Sequence, residues 1–313
     1  MKIGISSCLL GQKVRYDGQH KLDRFLRDEL GNFVEWVTVC PEVGCGLPIP
    51  REAMRLVGED PESPRLMTNK HFVDITDQME AYIFPKLEEL AKENLRGFIF
   101  KSKSPTSGMG GVKIYTEAGM PSRRGSGIFA REFMKRFPNI PVEDEGRLHD
   151  AGIRENFIEK IYVYDRWRNY LETDRSVTGL MSFHARHKYL MMAHSPSILK
   201  EAGKIVAITD KRNIESVLIA YEDKLISILN LKATVKKHVN LLQHIMGYFK
   251  NQLSPDEKKE LLEVIDRYYR ELVPLVVPLV LLQHYVRKHK EPYLSEQWYL
   301  HPHPDELKLR NHV

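Results

Sequence analysis

The sequence predicts an α/β N-terminal domain, a mostly parallel sheet with flanking helices, followed by an all-α helical domain. Three observations predict it. Short apolar runs at residues 2–7, 33–39 and 97–100 each stop at a polar loop, as buried strands of a parallel sheet do. Between them lie stretches with apolar residues at three- and four-residue spacing. From Arg166 onward the strand-and-loop pattern is gone and helical spacing takes over. A chain of 313 residues accommodates two domains at ~150 residues each. The boundary is expected near residue 165, giving domains 1–165 and 166–313.

Residues 2–7 read as a buried strand, and 8–21 as a loop with Arg15, Tyr16 and Asp17 at its polar tip. Helical spacing over 22–30 leads to the second strand, 33–39. Residues 40–51, Cys-Pro-Glu-Val-Gly-Cys-Gly-Leu-Pro-Ile-Pro-Arg, then form a loop whose glycines and prolines allow tight turns. A turn at 59–64 precedes an amphipathic helix over 77–94, with Asp74 or Thr76 as its cap. The strand at 97–100 runs into a Ser- and Gly-rich loop, 101–111, suited to holding polar substrate groups with backbone N–H groups. A helix opens at 125–130 and runs to 137, and a short strand follows at 140–143. In the second half, helices are expected at 183–194 (stopped by Ser195-Pro196), 214–229, 235–249 and 277–288, with another starting at Ser254-Pro-Asp-Glu. The polar tail, 301–313, is expected to be mobile.

Charged residues at 28% and hydrophobic ones at 42% exclude a disordered or fibrous chain. The most apolar segment, 272–282, is shorter than the about 20 residues of a spanning helix and contains two prolines, so no membrane span is expected. The segment after Met1 is too brief for a signal-peptide apolar region. A net charge of +5 permits a polyanionic partner without requiring one. Three cysteines, an odd number, argue against a disulfide framework and for a reducing compartment, so the cytoplasm is the expected location.

A parallel sheet would bring Cys8, after the first strand, and Cys40, after the second, to one edge. Cys40 and Cys45 have a spacing known from iron–sulfur loops, and Cys8 would make three thiols. The competing reading is buried, inert cysteines. Glu42 beside the thiols is a candidate general base toward a water, or a partner of Arg51. Ser102, Ser104 and Ser107 are candidates for substrate positioning, although no His or Asp stands near them in sequence. Between 182 and 250, His184, Arg186, His187, Lys188, Lys236, Lys237, His238 and His244 recur at helical spacings. They read either as a basic face for RNA, with Phe183, Tyr189, Tyr248 and Phe249 stacking on bases, or as a solvated face with core histidines.

Four separated motifs, Ser6-Ser-Cys-Leu-Leu-Gly, Val14-Arg-Tyr-Asp-Gly, Val39-Cys-Pro-Glu-Val and Lys101-Ser-Lys-Ser-Pro-Thr-Ser-Gly, resemble the thiouracil desulfidase (TudS-type) family over residues 1–160. The stretch Phe183-His-Ala-Arg-His-Lys-Tyr-Leu-Met-Met-Ala-His-Ser-Pro is similar to the helical YbgA-type domain, so the whole chain resembles the two-domain thiouridine desulfidases. The resemblance implies a 4Fe-4S cluster on three cysteines, with Cys8 and Cys40 on ligand positions, Glu42 on the base and Ser104 on a proton-transferring serine. Arg15, Asp17, Arg51, Ser102 and Ser107 are then expected around the substrate. That substrate would be a thiolated nucleobase or thiouridine-containing tRNA, held in part by the helical domain. The family motif ends Ser-Pro-Ser-Cys-Gly, and Ser107 stands here at its cysteine. Cys45 is the expected replacement ligand; failing that, a serine oxygen ligates or the cluster is lost. The alternatives are a non-catalytic RNA-binding protein and a zinc hydrolase on Cys8, Cys40 and Cys45 with Glu42 as base.

Overall fold

The structure, a computed structural model, describes residues 1–312. The chain forms two compact units that divide between Ile153 and Arg154. The division comes before the expected residue 165, within the first turn of a continuous helix, Ala151–Thr173, most of which belongs to the second unit.

In the first unit, β1 (Lys2–Ser6) is paired in parallel with β2 (Glu35–Val39) on one side. One helical turn, α1 (Pro41–Gly44), follows β2. The chain then builds a hairpin of β3 (Met54–Val57) and β4 (Arg65–Thr68), closed by the turn foreseen at 59–64. Helix α2 (Thr76–Lys92) buries Met79, Ile83, Leu87 and Leu90, and returns the chain to β5 (Phe98–Phe100). Asp74 holds its start by accepting from the backbone N–H and hydroxyl of Thr76 at 2.9 and 2.6 Å. A second hairpin, β6 (Val112–Tyr115) and β7 (Pro121–Gly125), leads to α3 (Ile128–Arg136) and β8 (Val142–Asp144). One sheet has the order β2-β1-β5-β8 with every pair parallel. The other, β4-β3-β6-β7, lies in stretches where the sequence predicts no strand, because its strands are short and two carry exposed charges.

Tight packing fixes β1 against β5. A Cβ on Gly4 would lie 2.1 Å from the Phe98 ring, so only glycine fits there. Phe98 in turn stacks on Phe100 and Phe133 at 4.4 and 4.6 Å between centroids, and these rings join α3 to the sheet. The segment expected as a helix over 22–30 is a wide turn, Phe25–Glu29, followed by a tight one, Leu30–Asn32.

The second unit holds α4 (Ala151–Thr173), α5 (Val177–His194), α6 (Pro196–Ala207), α7 (Ile214–Leu229), α8 (Val235–Met246), α9 (Pro255–Tyr269) and α10 (Val276–Lys288). Ser195 and Pro196 end α5 as expected but also start α6, with the Ser195 hydroxyl accepting from the Ile198 N–H. Ser254 and Glu257 form a reciprocal cap on α9. Trp167, Phe183 and Tyr221 pack α4, α5 and α7 together at 5.2–5.3 Å between centroids. No helix among the described residues is long and apolar enough to cross a membrane.

The tail is not mobile up to residue 312, and the expectation is corrected by Arg310, which is only 6% exposed. Its Nη1 donates to the Tyr299 carbonyl at 2.7 Å and its Nη2 to Glu159 at 3.2 Å. Glu159 also meets His194 Nε2 at 2.5 Å. His312 contacts Glu155 at 2.8 Å, so two carboxylates of α4 anchor the tail. Burial alone would raise the Glu159 carboxyl, but the His194 hydrogen bond and the charges of His194 and Arg310 outweigh it and hold it at about 2, below its ordinary 4.5. The stability this carboxylate contributes is therefore complete above pH 4.5 and is lost as pH falls toward about 2. Two outcomes are expected in unfolding followed by circular dichroism. The helical signal melts at lower temperature as pH drops through that window, and Arg310→Met, which strands buried carboxylates, costs about 3–5 kcal/mol at neutral pH.

Candidate active site

Because β1, β2, β5 and β8 are parallel, their carboxyl ends share one edge, and a cavity of about 380 Å³ opens there. Cys8 follows β1, Cys40 follows β2, and the loop from Lys101 to Ser107 follows β5; all contribute to its wall. Arg15, Tyr16 and Arg51 line it as well.

Glu42 is held from two sides. The Thr106 hydroxyl donates to its Oε1 at 2.6 Å, and the Cys40 thiol approaches Oε2 at 3.4 Å. Arg51 stands 3.9 Å away and donates instead to the Val14 carbonyl at 3.0 Å. Ser104 Oγ lies 2.9 Å from Thr106 Oγ1 and accepts from the N–H groups of Thr106 and Ser107 at 3.2 and 3.1 Å. Thr106 has one hydroxyl proton, and with Glu42 as carboxylate that proton goes to Glu42. Ser104 must then donate to Thr106, which gives a directed chain from Ser104 through Thr106 to Glu42. Thr106, fully buried, was not singled out from the sequence; its place between Ser104 and Ser107 in the loop motif was the available signal.

Lys101 and Ser102 form a second polar group. The Lys101 ammonium bonds Glu145, whose carboxylate also accepts from the Ser102 N–H at 2.6 Å and hydroxyl at 2.8 Å. Ser102 lines the cavity, but its donors are engaged by Glu145. Asp17 is corrected as a cavity residue: it lies outside the wall and pairs with Arg15 at 3.3 Å, steering that guanidinium.

The three-cysteine set is also corrected. Pro41–Gly44 is helical, so Cys45, five residues after Cys40 at about 100° per residue, is turned roughly 140° away. Its Sγ reaches the Glu42 carbonyl at 3.2 Å, and the residue packs on the core rather than lining the cavity. No group of three His, Cys, Asp or Glu among the described residues is placed to hold a metal, so neither the three-thiol cluster set nor the zinc set with Cys45 is formed. Ser107 lines the cavity with Cys8 and Cys40 instead. It is 4% exposed, and its hydroxyl has no hydrogen-bond partner among the described residues. Two thiols and one hydroxyl at three strand ends fall one thiolate short of a three-thiolate cluster site, because iron–sulfur clusters select soft sulfur donors over oxygen.

The helical residues expected at RNA divide. His187 is corrected to a core residue, 1% exposed, with Nδ1 on the Phe183 carbonyl at 2.8 Å. His184 bonds the Tyr221 hydroxyl at 3.1 Å, and burial pushes it down to about 4. Lys237 donates to the His194 carbonyl at 2.5 Å. Arg186 and Lys236 remain exposed and Lys188 half-buried. Phe183, Tyr189 and Phe249 are core, and only Tyr248 of that aromatic set is open to solvent.

Burial raises the Cys40 thiol to about 12, with Glu42 adding to the shift, and raises Cys8 to about 11. Without bound metal, alkylation of both at pH 8 is therefore expected to be at least about 100-fold slower than for an ordinary thiol. Glu42→Gln removes the like charge and should speed Cys40 selectively, as read by mass spectrometry of the labelled peptides.

The family described as 2-thiouracil desulfurase matches residues 3–145, and the family described as protein of unknown function (DUF1722) matches residues 188–304. The uncharacterized protein YbgA of Escherichia coli (strain K12) is 31% identical over 134 residues, 42% of this chain and 79% of YbgA. Among solved structures, the [4Fe-4S]-dependent thiouracil desulfidase TudS is 30% identical, covering 48% of this chain and 93% of its own, with a TM-score of 0.39. The chain thus belongs to the YbgA family and carries an N-terminal region of the 2-thiouracil desulfurase type.

Proposed function

We propose that the first unit is a hydrolytic desulfidase that replaces the thiocarbonyl sulfur of a thiolated pyrimidine by oxygen from water and releases sulfide. The observation that carries this reading is Glu42, a carboxylate fixed by Thr106 at 2.6 Å on the wall of a cavity that also holds two thiols. It lies inside the region matched by the desulfurase family.

A cavity of about 380 Å³ is in the range of small-ligand sites. Arg15 and Arg51 on its wall offer guanidinium donors and positive charge for the oxygen and sulfur of the base, whereas the three Lys101 N–H groups are taken by Ser102 and Glu145. Thr106 occupies Glu42 Oε1, and Oε2, which the Cys40 thiol approaches at 3.4 Å, takes a proton from an attacking water once that thiol has given up its own. Water adds to the thiocarbonyl carbon with one proton to Glu42, Glu42 returns that proton to the sulfur as the carbon–sulfur bond breaks, and the added hydroxyl gives up its own proton to the released sulfide as the carbonyl forms. In sum, one thiocarbonyl and one water give one carbonyl and one hydrogen sulfide, with no net redox change. Cys8 and Cys40 are the two thiols that would hold a 4Fe-4S cluster here, and such a group would supply an electron-pair acceptor for the sulfur. Ser104 keeps Thr106 aimed at Glu42, so it acts on proton transfer through that hydroxyl.

The cytoplasm remains the proposed location, on the reducing conditions that free thiols require. His187 and His238 lie in the core and are withdrawn from the expected basic face, and a cavity of about 380 Å³ suits a free base or its nucleoside, which is the proposed substrate.

The test is anaerobic reconstitution with iron and sulfide, then incubation with 2-thiouracil and with 4-thiouridine, following released sulfide and loss of the thiocarbonyl absorbance. One sulfide per oxo base formed is expected. Glu42→Gln should lower kcat by about 10²–10⁴-fold, and Thr106→Val should fall between it and the parent. Intact turnover in Glu42→Gln would exclude the base assignment, and no sulfide from either substrate in a cluster-loaded protein would exclude the activity.

A further inference from the structure

We propose that Arg51 is the electrophilic partner of Glu42: its guanidinium holds the thiocarbonyl sulfur and takes up the negative charge that sulfur gains as water adds to the carbon. This rests on the desulfidase reading. It gives the sulfur an acceptor from the chain's own side chains, in a cavity that falls one thiolate short of a three-thiolate cluster site.

The first observation is the state of the guanidinium. The Arg51 side chain is only 6% exposed yet lies on the cavity wall, and a buried guanidinium should have its N–H groups matched by acceptors. One match is made: Nη1 donates to the Val14 carbonyl at 3.0 Å. The buried Nε has no partner among the described residues, and Nη2 stands 3.9 Å from Glu42 Oε2, beyond hydrogen-bond reach. The residue is nonetheless anchored, since its backbone N–H donates to the Tyr16 carbonyl at 2.8 Å. A fixed guanidinium with unmet donors on a cavity wall is what a preorganised site for developing charge requires.

The second observation is that the other cations on the wall are engaged or solvated. Arg15 pairs with Asp17 at 3.3 Å. The Lys101 ammonium bonds Ser102 and Glu145. Lys21 and Lys103 line the cavity from exposed positions, where water screens their charge. Arg51 is left with Glu42, the carboxylate on the same wall.

Distance and charge then agree. Two groups 3.9 Å apart admit a reacting group about 3 Å from each, so water on the carbon reaches Glu42 while the sulfur on that carbon meets Arg51. Before the reaction the guanidinium compensates the Glu42 carboxylate. When water adds, one proton passes to Glu42, which becomes neutral, and the π-electron pair of the carbon–sulfur double bond moves to sulfur. The same cation now compensates the sulfur, without itself moving. Its hold on the sulfur strengthens only as the adduct forms, which is the condition for a gain in kcat. Glu42 returns its proton to the sulfur as the carbon–sulfur bond breaks, and the released sulfide takes the last proton from the added hydroxyl.

The experiment compares the full chain with Arg51→Lys and Arg51→Gln, with circular dichroism to confirm folding. Binding of 2-thiouracil to each protein as purified is followed by equilibrium dialysis and by the ultraviolet spectrum of the bound base, and kcat and KM are measured by sulfide release. A guanidinium on the sulfur should shift the thiocarbonyl band of bound 2-thiouracil in wild type, and Arg51→Gln should abolish the shift. Arg51→Gln should also lower kcat by about 10²–10³-fold while KM rises far less. Arg51→Lys, which keeps the charge and loses the planar fork, should fall between. A folded Arg51→Gln with the wild-type spectrum or the wild-type kcat, or with KM alone raised, would overturn the assignment. A wild type that binds 2-thiouracil with the shifted band yet releases no sulfide counts against the desulfidase reading and leaves Arg51 as the partner of the sulfur, whereas a wild type that binds no 2-thiouracil removes both.

Discussion

Parallel pairing of β1 with both β2 and β5 is the constraint on which the first unit depends. A parallel strand directs its carboxyl end to the same edge as its neighbours, so three segments far apart in sequence deliver Cys8, Cys40 and the 101–107 loop to one place. The pairing is close because Gly4 leaves room for Phe98, which passes the contact on to Phe100 and Phe133. A side chain at Gly4 would separate the strands whose ends make the cavity.

Within that frame the polar groups are ordered by donor counting. A carboxylate can only accept, so Glu42 draws the Thr106 proton, and Thr106 then draws that of Ser104. Glu145 does the same for Lys101 and Ser102 on the other side of the loop. These engagements remove Ser102 and Ser104 from the set of groups that face a ligand with an unused donor. Ser107, between two fixed backbone segments, is the serine left over.

The helical unit solves a different problem. Its core contains charge, with Glu155 and Glu159 of α4 facing Arg310, His194 and His312. Buried carboxylates need compensating partners from more than one direction, and the partners come from the end of α5 and from the tail. The tail is ordered for that reason, although its composition is polar.

Both fold classes, the strand-end cysteines, Glu42, the helix stop at Ser195-Pro196 and the helix start at Ser254 were legible in the sequence, because each depends on a local signal: an apolar run, a spacing or a cap. Sheet β4-β3-β6-β7 was not, since its short strands are stabilised by pairing partners distant in the chain. Thr106 was missed because its partner Glu42 is distant in the chain, and Cys45 was misplaced because residues 41–44, expected as loop, form a helical turn. The sequence alone determined which donor types lie at the carboxyl ends of β1, β2 and β5, and that a serine stands where a third cysteine would. Only the tertiary structure decided which of them meet, because one turn of helix turns Cys45, half-buried, against the side of the core while the loop after β5, pressed against Gly127, carries Ser107 to the cavity wall.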